Sequence, residues 1–295
     1  MYYVPNGLKC TNAMAGMLKF MYITNNPIVA KTADELGVDR VWIDLETLGK
    51  EERQKGMNTV KSQHSLSDIS KIKPMLNKAE LLVRINPINA TSAQEIDEAI
   101  SRGADILMLP MFKTLEEVQI FIDLTKNRNV KTTLLLETKE AVDILPNLLR
   151  KGGFDEMHIG LNDLHLSMGL TFMFELLSNG VVEDICRTVS KYGIPYGFGG
   201  IAKIGEGLLP AERIISEHFR LGSTRAILSR SFCDNKFENY DIWRDEFKTG
   251  LEQIRNYEYS LQEQDSDFFY NNRIEVASCV RKVVELIKSK RANND

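Results

Sequence analysis

Eight short apolar runs punctuate the chain: LKFMYIT, RVWIDLE, AELLVRINP, ADILMLPM, TTLLLET, EMHIGLND, PYGFGG and RAILSRSF. Most are continuous rather than alternating, so neither face is marked for water. That is the pattern of strands covered on both sides, as in parallel sheets. Between them lie amphipathic stretches such as TLEEVQIFIDLTK and KEAVDILPNLLRKG, with apolar residues at helical spacing. Strands separated by helices call for right-handed crossovers. Eight such strands predict a closed (β/α)8 TIM barrel. A doubly wound open sheet is the rival, but it would normally carry a glycine fingerprint after its first strand, and none follows LKFMYIT.

The 295 residues suit one barrel, and no Pro- or Gly-rich linker divides them, so residues 1–295 read as a single domain. Residues 235–295 form a C-terminal helical extension of it, with helical segments over 235–262 and 272–290 joined by LQEQDSDFFYNN. The last segment carries one apolar face: Ile274, Val276, Val280, Val283, Val284 and Ile287. Such a helix can leave its own barrel and cover a neighbour's, with Phe268 and Phe269 anchoring the crossover, or it can fold back on its own barrel. A homo-oligomer of at least two subunits is therefore expected.

A net charge of −4 and the lack of a long basic run argue against nucleic acid as a partner. RKVVELIKSKR reads as a solvated helix face. Cys10, Cys186, Cys233 and Cys279 are scattered without C-x-x-C spacing, which fits a reduced, cytoplasmic setting. No signal-like or membrane-spanning run is present.

Barrel chemistry sits at the C-terminal ends of strands. Here those ends supply Asp44 and Glu46, Arg84 and Asn86, Glu137, Asn162 and Asp163, and Ser229 and Arg230. One acid at a strand end is ordinarily a helix cap, and Asp163 or Thr138 could serve so. Several converging on one rim is a different matter. At ~4 Å and an effective dielectric of ~20, each like-charge pair costs roughly 4 kcal/mol. A divalent cation removes that cost, and hard oxygen ligands favour Mg2+ or Mn2+. Glu137 and Asp163 are the candidate ligands.

VWIDLE, LLVRINP, GADILMLPM, LLLET and IGLNDL…SMG together resemble the hydroxy-oxo-acid aldolase and citrate lyase beta-chain family of the phosphoenolpyruvate/pyruvate barrel superfamily. The resemblance runs from about Lys19 to Phe232. It implies divalent-metal catalysis on a pyruvate-type enolate, with carbon–carbon bond cleavage or formation on a small 2-oxo acid, one that could be sugar-derived. It also implies that Glu137 and Asp163 bind the metal, that Arg84 holds the enolate oxygen, and that Glu46 orients water at the metal. Backbone N–H groups around Asn162 and Asp163 would receive the substrate carboxylate. The superfamily's exchange of an eighth helix between subunits agrees with the crossover expected above.

One departure stands out. Hydroxy-oxo-acid aldolases carry an acid–base histidine directly after the D-x-E element, where this chain has Thr47. His64 is the candidate replacement, against a capping or surface role. His165 could touch substrate or decorate its loop, while His158 and His218 read as structural. Gly197, Gly199 and Gly200 are expected after strand seven. Gly199 and Gly200 could offer backbone amides to a phosphate or second carboxylate, or could simply serve tight turns. Competing readings are an acyl-CoA lyase like citrate lyase beta chains, an enzyme using phosphoenolpyruvate, and a non-catalytic binding or assembly subunit.

Overall fold

The computed structural model describes residues 17–49, 64–229, 232 and 237–292. Cys10, Cys233 and Arg230 lie outside them. Along the chain run β1 (Lys19–Ile23), α1 (Pro27–Glu35), β2 (Arg40–Asp44), α2 (Leu66–Ile72), β3 (Glu80–Arg84) and α3 (Ser92–Ser101). They are followed by β4 (Ile106–Leu109), α4 (Leu115–Thr125), β5 (Lys131–Leu136), α5 (Lys139–Lys151) and β6 (Glu156–Ile159). Three helices come next, α6 (Leu161–Ser167), α7 (Glu175–Ser178) and α8 (Val181–Ser190), then β7 (Tyr196–Ile201), α9 (Ala211–Arg220) and β8 (Arg225–Leu228). The chain closes with α10 (Tyr240–Leu261) and α11 (Ser266–Ala292). The eight strands pair in parallel and in sequence order into a closed barrel, β8 returning to β1. This is the (β/α)8 fold with C-terminal helices.

The continuous apolar runs reflect a sheet buried on both faces. Outward residues such as Phe20, Val41, Val83, Leu107, Leu134, Ile159 and Phe198 pack under the helices. Inward residues Met21, Trp42, Leu82, Ile106, Met108 and Leu135 fill the barrel's middle. Several helices start where side chains can satisfy their first N–H groups. Asn26 caps α1, Thr114 and Glu117 form a capping box on α4, and Thr138 caps α5.

Above and below that apolar middle the interior is charged, because the same strand parity that points Trp42 inward also points Arg40 and Asp44 inward. At the N-terminal floor, Glu156 is held by two guanidiniums. Arg40 donates to it at 2.6 and 2.8 Å, and Arg225 at 2.9 and 2.6 Å. Burial alone would raise the Glu156 carboxyl. The hydrogen bonds and charges of Arg40 and Arg225 outweigh burial and lower it to about 2.

The C-terminal extension is helical as expected, but its course differs. Helix α10 takes the eighth-helix place on its own barrel. Its Phe247 ring meets Tyr22 edge-on, the Leu18 N–H donates to buried Glu258 at 2.7 Å, and Arg255 donates to the Leu18 carbonyl at 2.8 Å. The polar hinge is shorter than expected, so Phe268 and Phe269 lie inside α11 rather than in a crossover. Helix α11 folds back on α7 and α9 of the same chain. Buried Val276, Val280 and Val283 form its inner face. Asn272 donates to the Arg213 carbonyl at 3.1 Å and to Glu217 at 2.9 Å. Those polar bonds tie α11 to α9 at a buried position.

Candidate active site

The upper charged layer is built from register. Asp44 and Arg84 are direct partners on β2 and β3. Arg84 grips Asp44 with two parallel bonds, Nε and Nη2 each donating at 2.8 Å. Nη2 also lies 3.3 Å from Glu46. The guanidinium stands over the Trp42 ring, 5.4 Å from its centroid, on the apolar middle layer. Burial would lower its pKa, but the Asp44, Glu46 and Glu137 charges raise it, so Arg84 is a permanent cation. Nη1 has no hydrogen-bond acceptor among the described residues.

Glu137 follows β5 and is buried. Burial pushes its carboxyl well above the usual range. Asp163 and Glu46 push it the same way, and Arg84 only partly opposes them. Its Oε1 accepts the Met111 N–H at 3.1 Å. Asp163 sits in the first turn of α6, not at the end of a strand: β6 stops at Ile159, Gly160 caps the helix, and Asn162 is exposed beside it. The first turn of α6 has N–H groups with no intrahelical acceptor, the feature expected around Asn162 and Asp163.

Thr47 and His64 are both engaged at the rim. The Thr47 N–H, the Thr47 hydroxyl and the Leu48 N–H donate to Asn86 Oδ1 at 2.9, 3.2 and 3.0 Å, and Asn86 in turn donates to Glu95. Asn86 is thus the clamp of the loop that carries Glu46. His64 Nδ1 accepts the Asp44 N–H at 3.0 Å, which leaves the ring proton on Nε2.

The other histidines lie in the core. Within α6, buried His165 bonds the Leu161 carbonyl through Nδ1 at 3.2 Å. Burial lowers His158 and His218 to about 3 each, so both are neutral. His218 stacks on Phe198 with ring centroids 3.8 Å apart.

The glycines expected after strand seven fall within β7. A Cβ on Gly197 would collide with the Arg225 carbonyl oxygen, so close packing on β8 requires glycine there. Gly199 has a φ of +52° and packs against Leu161, the first residue of α6. Gly200 faces Ser229 across a register shift between β7 and β8. Packing therefore accounts for Gly197 and Gly199.

Three residues that shape the site escaped the sequence reading: Asp44 as partner of Arg84, Met111 as donor to Glu137, and Gly160 beneath it. Asp44 left a signal, since it shares strand parity with inward Arg40 and Trp42. Met111 and Gly160 left none.

A family model for HpcH/HpaI aldolase/citrate lyase matches residues 19–176, more than half of the chain and most of the site. The chain belongs to the HpcH/HpaI aldolase/citrate lyase family. Its carbon–carbon lyase and aldolase class follows from that membership. An HpcH/HpaI aldolase from Desulfitobacterium hafniense DCB-2 superposes with a TM-score of 0.57 at 14% identity, over 85% of this chain and 95% of that one. The citrate synthase SbnG gives 0.55 at 13% identity, over 81% and 94%. Macrophomate synthase gives 0.52 at 14%, over 84% and 86%. Such distant likenesses speak for the barrel alone. No curated protein matches the sequence. Among the described residues no helix is long and apolar enough to cross a membrane.

Proposed function

We propose that this family member is a divalent-metal-dependent aldolase or lyase that makes or breaks a carbon–carbon bond through the pyruvate-type enolate of a small 2-oxo acid. The observation that carries this reading is the buried meeting of Glu137 with the charges of Asp163, Glu46 and Arg84. Carboxylates crowded in a buried place repel one another, and a hard divalent cation relieves that. Mg2+ commonly takes one or two carboxylates and keeps several waters, so Glu137 and Asp163 fit it, and Mn2+ equally. Bound there, the cation would supply positive charge to stabilise an enolate oxygen.

The chain's own residues divide the remaining work. Arg84 Nη1 is available to the keto oxygen, where charge gathers as the enolate forms. That contact strengthens in the transition state. Asp44 and Glu46 hold the guanidinium in place, and Glu46 lies close enough to the cluster to orient water. The first-turn N–H groups of α6 at Asn162 and Asp163 suit the substrate carboxylate. His64, with Nδ1 engaged by the Asp44 N–H, has Nε2 to offer as the candidate acid–base group. Thr47, spent on Asn86, favours as second reading a lyase of the citrate lyase beta type, which also works without the aldolase histidine. Exposed Tyr270 and Ile274, one turn apart on α11, support association into a homo-oligomer.

Glu137→Gln and Asp163→Asn are each expected to weaken Mg2+ or Mn2+ binding at least 10-fold while the melting temperature stays within a few degrees, since each removes one ligand and one charge. Calorimetric titration is the test. Wild-type affinity in both variants would sink the metal assignment.

A further inference from the structure

We infer that Met111 and Gly160 are positioning residues for Glu137: a left-handed backbone turn at Met111 and a bare Cα at Gly160 together fix where that carboxylate points. The inference rests on the reading of Glu137 as a metal ligand, and it concerns how the chain holds that ligand ready.

Two independent observations converge on the same side chain. Met111 has a φ of +53°, and among the described residues only Asn127 is another non-glycine with positive φ. Asparagine tolerates that region through its short polar side chain, whereas methionine gains nothing there. Strain of this kind persists only where the surroundings enforce it. At Met111 the gain is visible, because its N–H donates to Glu137 Oε1 at 3.1 Å. A peptide plane between fixed flanks flips through a paired change in the ψ before it and the φ after it, as type I and type II turns show. The positive φ of Met111 and the direction of its N–H are therefore one fact. Pro110 precedes it, and proline is at home in the first central position of such a turn.

Gly160 acts from the opposite side. Its φ is −81°, so no conformational demand selects glycine there. Space does. A Cβ would lie 2.8 Å from Glu137 Oε2 and 2.9 Å from Glu137 Cβ. Gly160 also donates its N–H to the Leu136 carbonyl at 3.0 Å, which locks it beside the residue preceding Glu137. One oxygen of Glu137 is thus tied to Met111 and the other rests on Gly160. The hydrogen bond sets the rotation of the carboxylate, and the missing methyl lets it lie flat. The same Gly160 caps α6, so one residue sets the place of both Glu137 and the first turn that carries Asp163.

The test compares four variants by calorimetric titration with Mn2+ alone and by thermal melting. Glu137→Gln must lose affinity for the underlying metal assignment to stand; unchanged affinity there overturns that assignment and not the positioning. Given that loss, Gly160→Ala is expected to weaken Mn2+ binding 10-fold or more, because the added methyl displaces the carboxylate. Met111→Val is expected to do the same, because a β-branched residue resists the left-handed turn. Met111→Gly keeps the turn and its N–H, and is expected to bind Mn2+ within about threefold of wild type with an equal or higher melting temperature. If Gly160→Ala fails to fold, the Met111 pair decides alone. Wild-type affinity in Met111→Val, or equal losses in Met111→Val and Met111→Gly, would overturn the inference, the second by assigning the effect to the methionine side chain.

Discussion

Arg84→Lys is expected to slow enolate formation roughly 10²-fold or more. Both side chains are cations, so charge alone predicts little change. Geometry predicts the loss. Arg84 spends Nε and Nη2 on Asp44 at 2.8 Å each, and on the proposed reading Nη1 serves the substrate. A single ammonium can serve Asp44 or the keto oxygen but cannot reproduce the planar fork that serves both. Asp44 is 3% exposed, so losing its bidentate partner leaves a buried carboxylate poorly matched. The readout is the rate of deuterium uptake by the methyl group of pyruvate. A normal maximal rate with only a raised half-saturation would mean that Arg84 binds ground and transition states equally.

The second large effect lies at the other end of the barrel. Glu156→Gln is expected to cost about 3–5 kcal/mol, because it leaves two buried guanidiniums facing each other without their shared counterion. The pH dependence has a definite sign. Glu156 has a folded-state pKa of about 2, below its ordinary 4.5, so its stabilisation is complete above about pH 4.5 and is lost as pH falls through 2. Over that window the wild type is expected to shed about 3 kcal/mol that the glutamine variant never had. Urea unfolding at a series of pH values measures this. Parallel curves for the two proteins below pH 4.5 would show that the floor network contributes no such linkage. The site itself stays assembled under neutral conditions in either protein, since Trp42, Leu82, Met108 and Leu135 separate floor from rim.

How much of this was legible in the sequence depends on the range of the interaction concerned. Strands were legible because burial on both faces writes itself as an apolar run. Their ends were less so. EMHIGLND reads as continuous, yet Gly160 turns it into a helix, and no local period distinguishes Asp163 on a strand from Asp163 one turn into α6. The β7 glycines read as a loop because glycine usually marks one. Their real cause at Gly197 is a carbonyl of Arg225, 28 positions away, which propensity cannot register. The Asp44–Arg84 pair is likewise a fact of register. The final helix announced its apolar face but not its target. The bonds of Asn272 to Glu217 and to the Arg213 carbonyl are long-range facts that no local pattern records. What resemblance added was the grouping of Glu46, Arg84, Glu137 and Asp163, and the electrostatic coupling of Glu137 to the other three is in keeping with it.

The central claim is enolate chemistry at a divalent-metal site, and it can be tested without knowing the partner substrate. The purified protein is incubated with pyruvate in deuterated buffer, with Mg2+ or Mn2+ and again with chelator, and the methyl signal is followed by proton NMR. The account predicts loss of that signal with metal, none above background with chelator, and none in Glu137→Gln. Exchange that is equal with and without metal, or absent from the metal-loaded wild type, would contradict it.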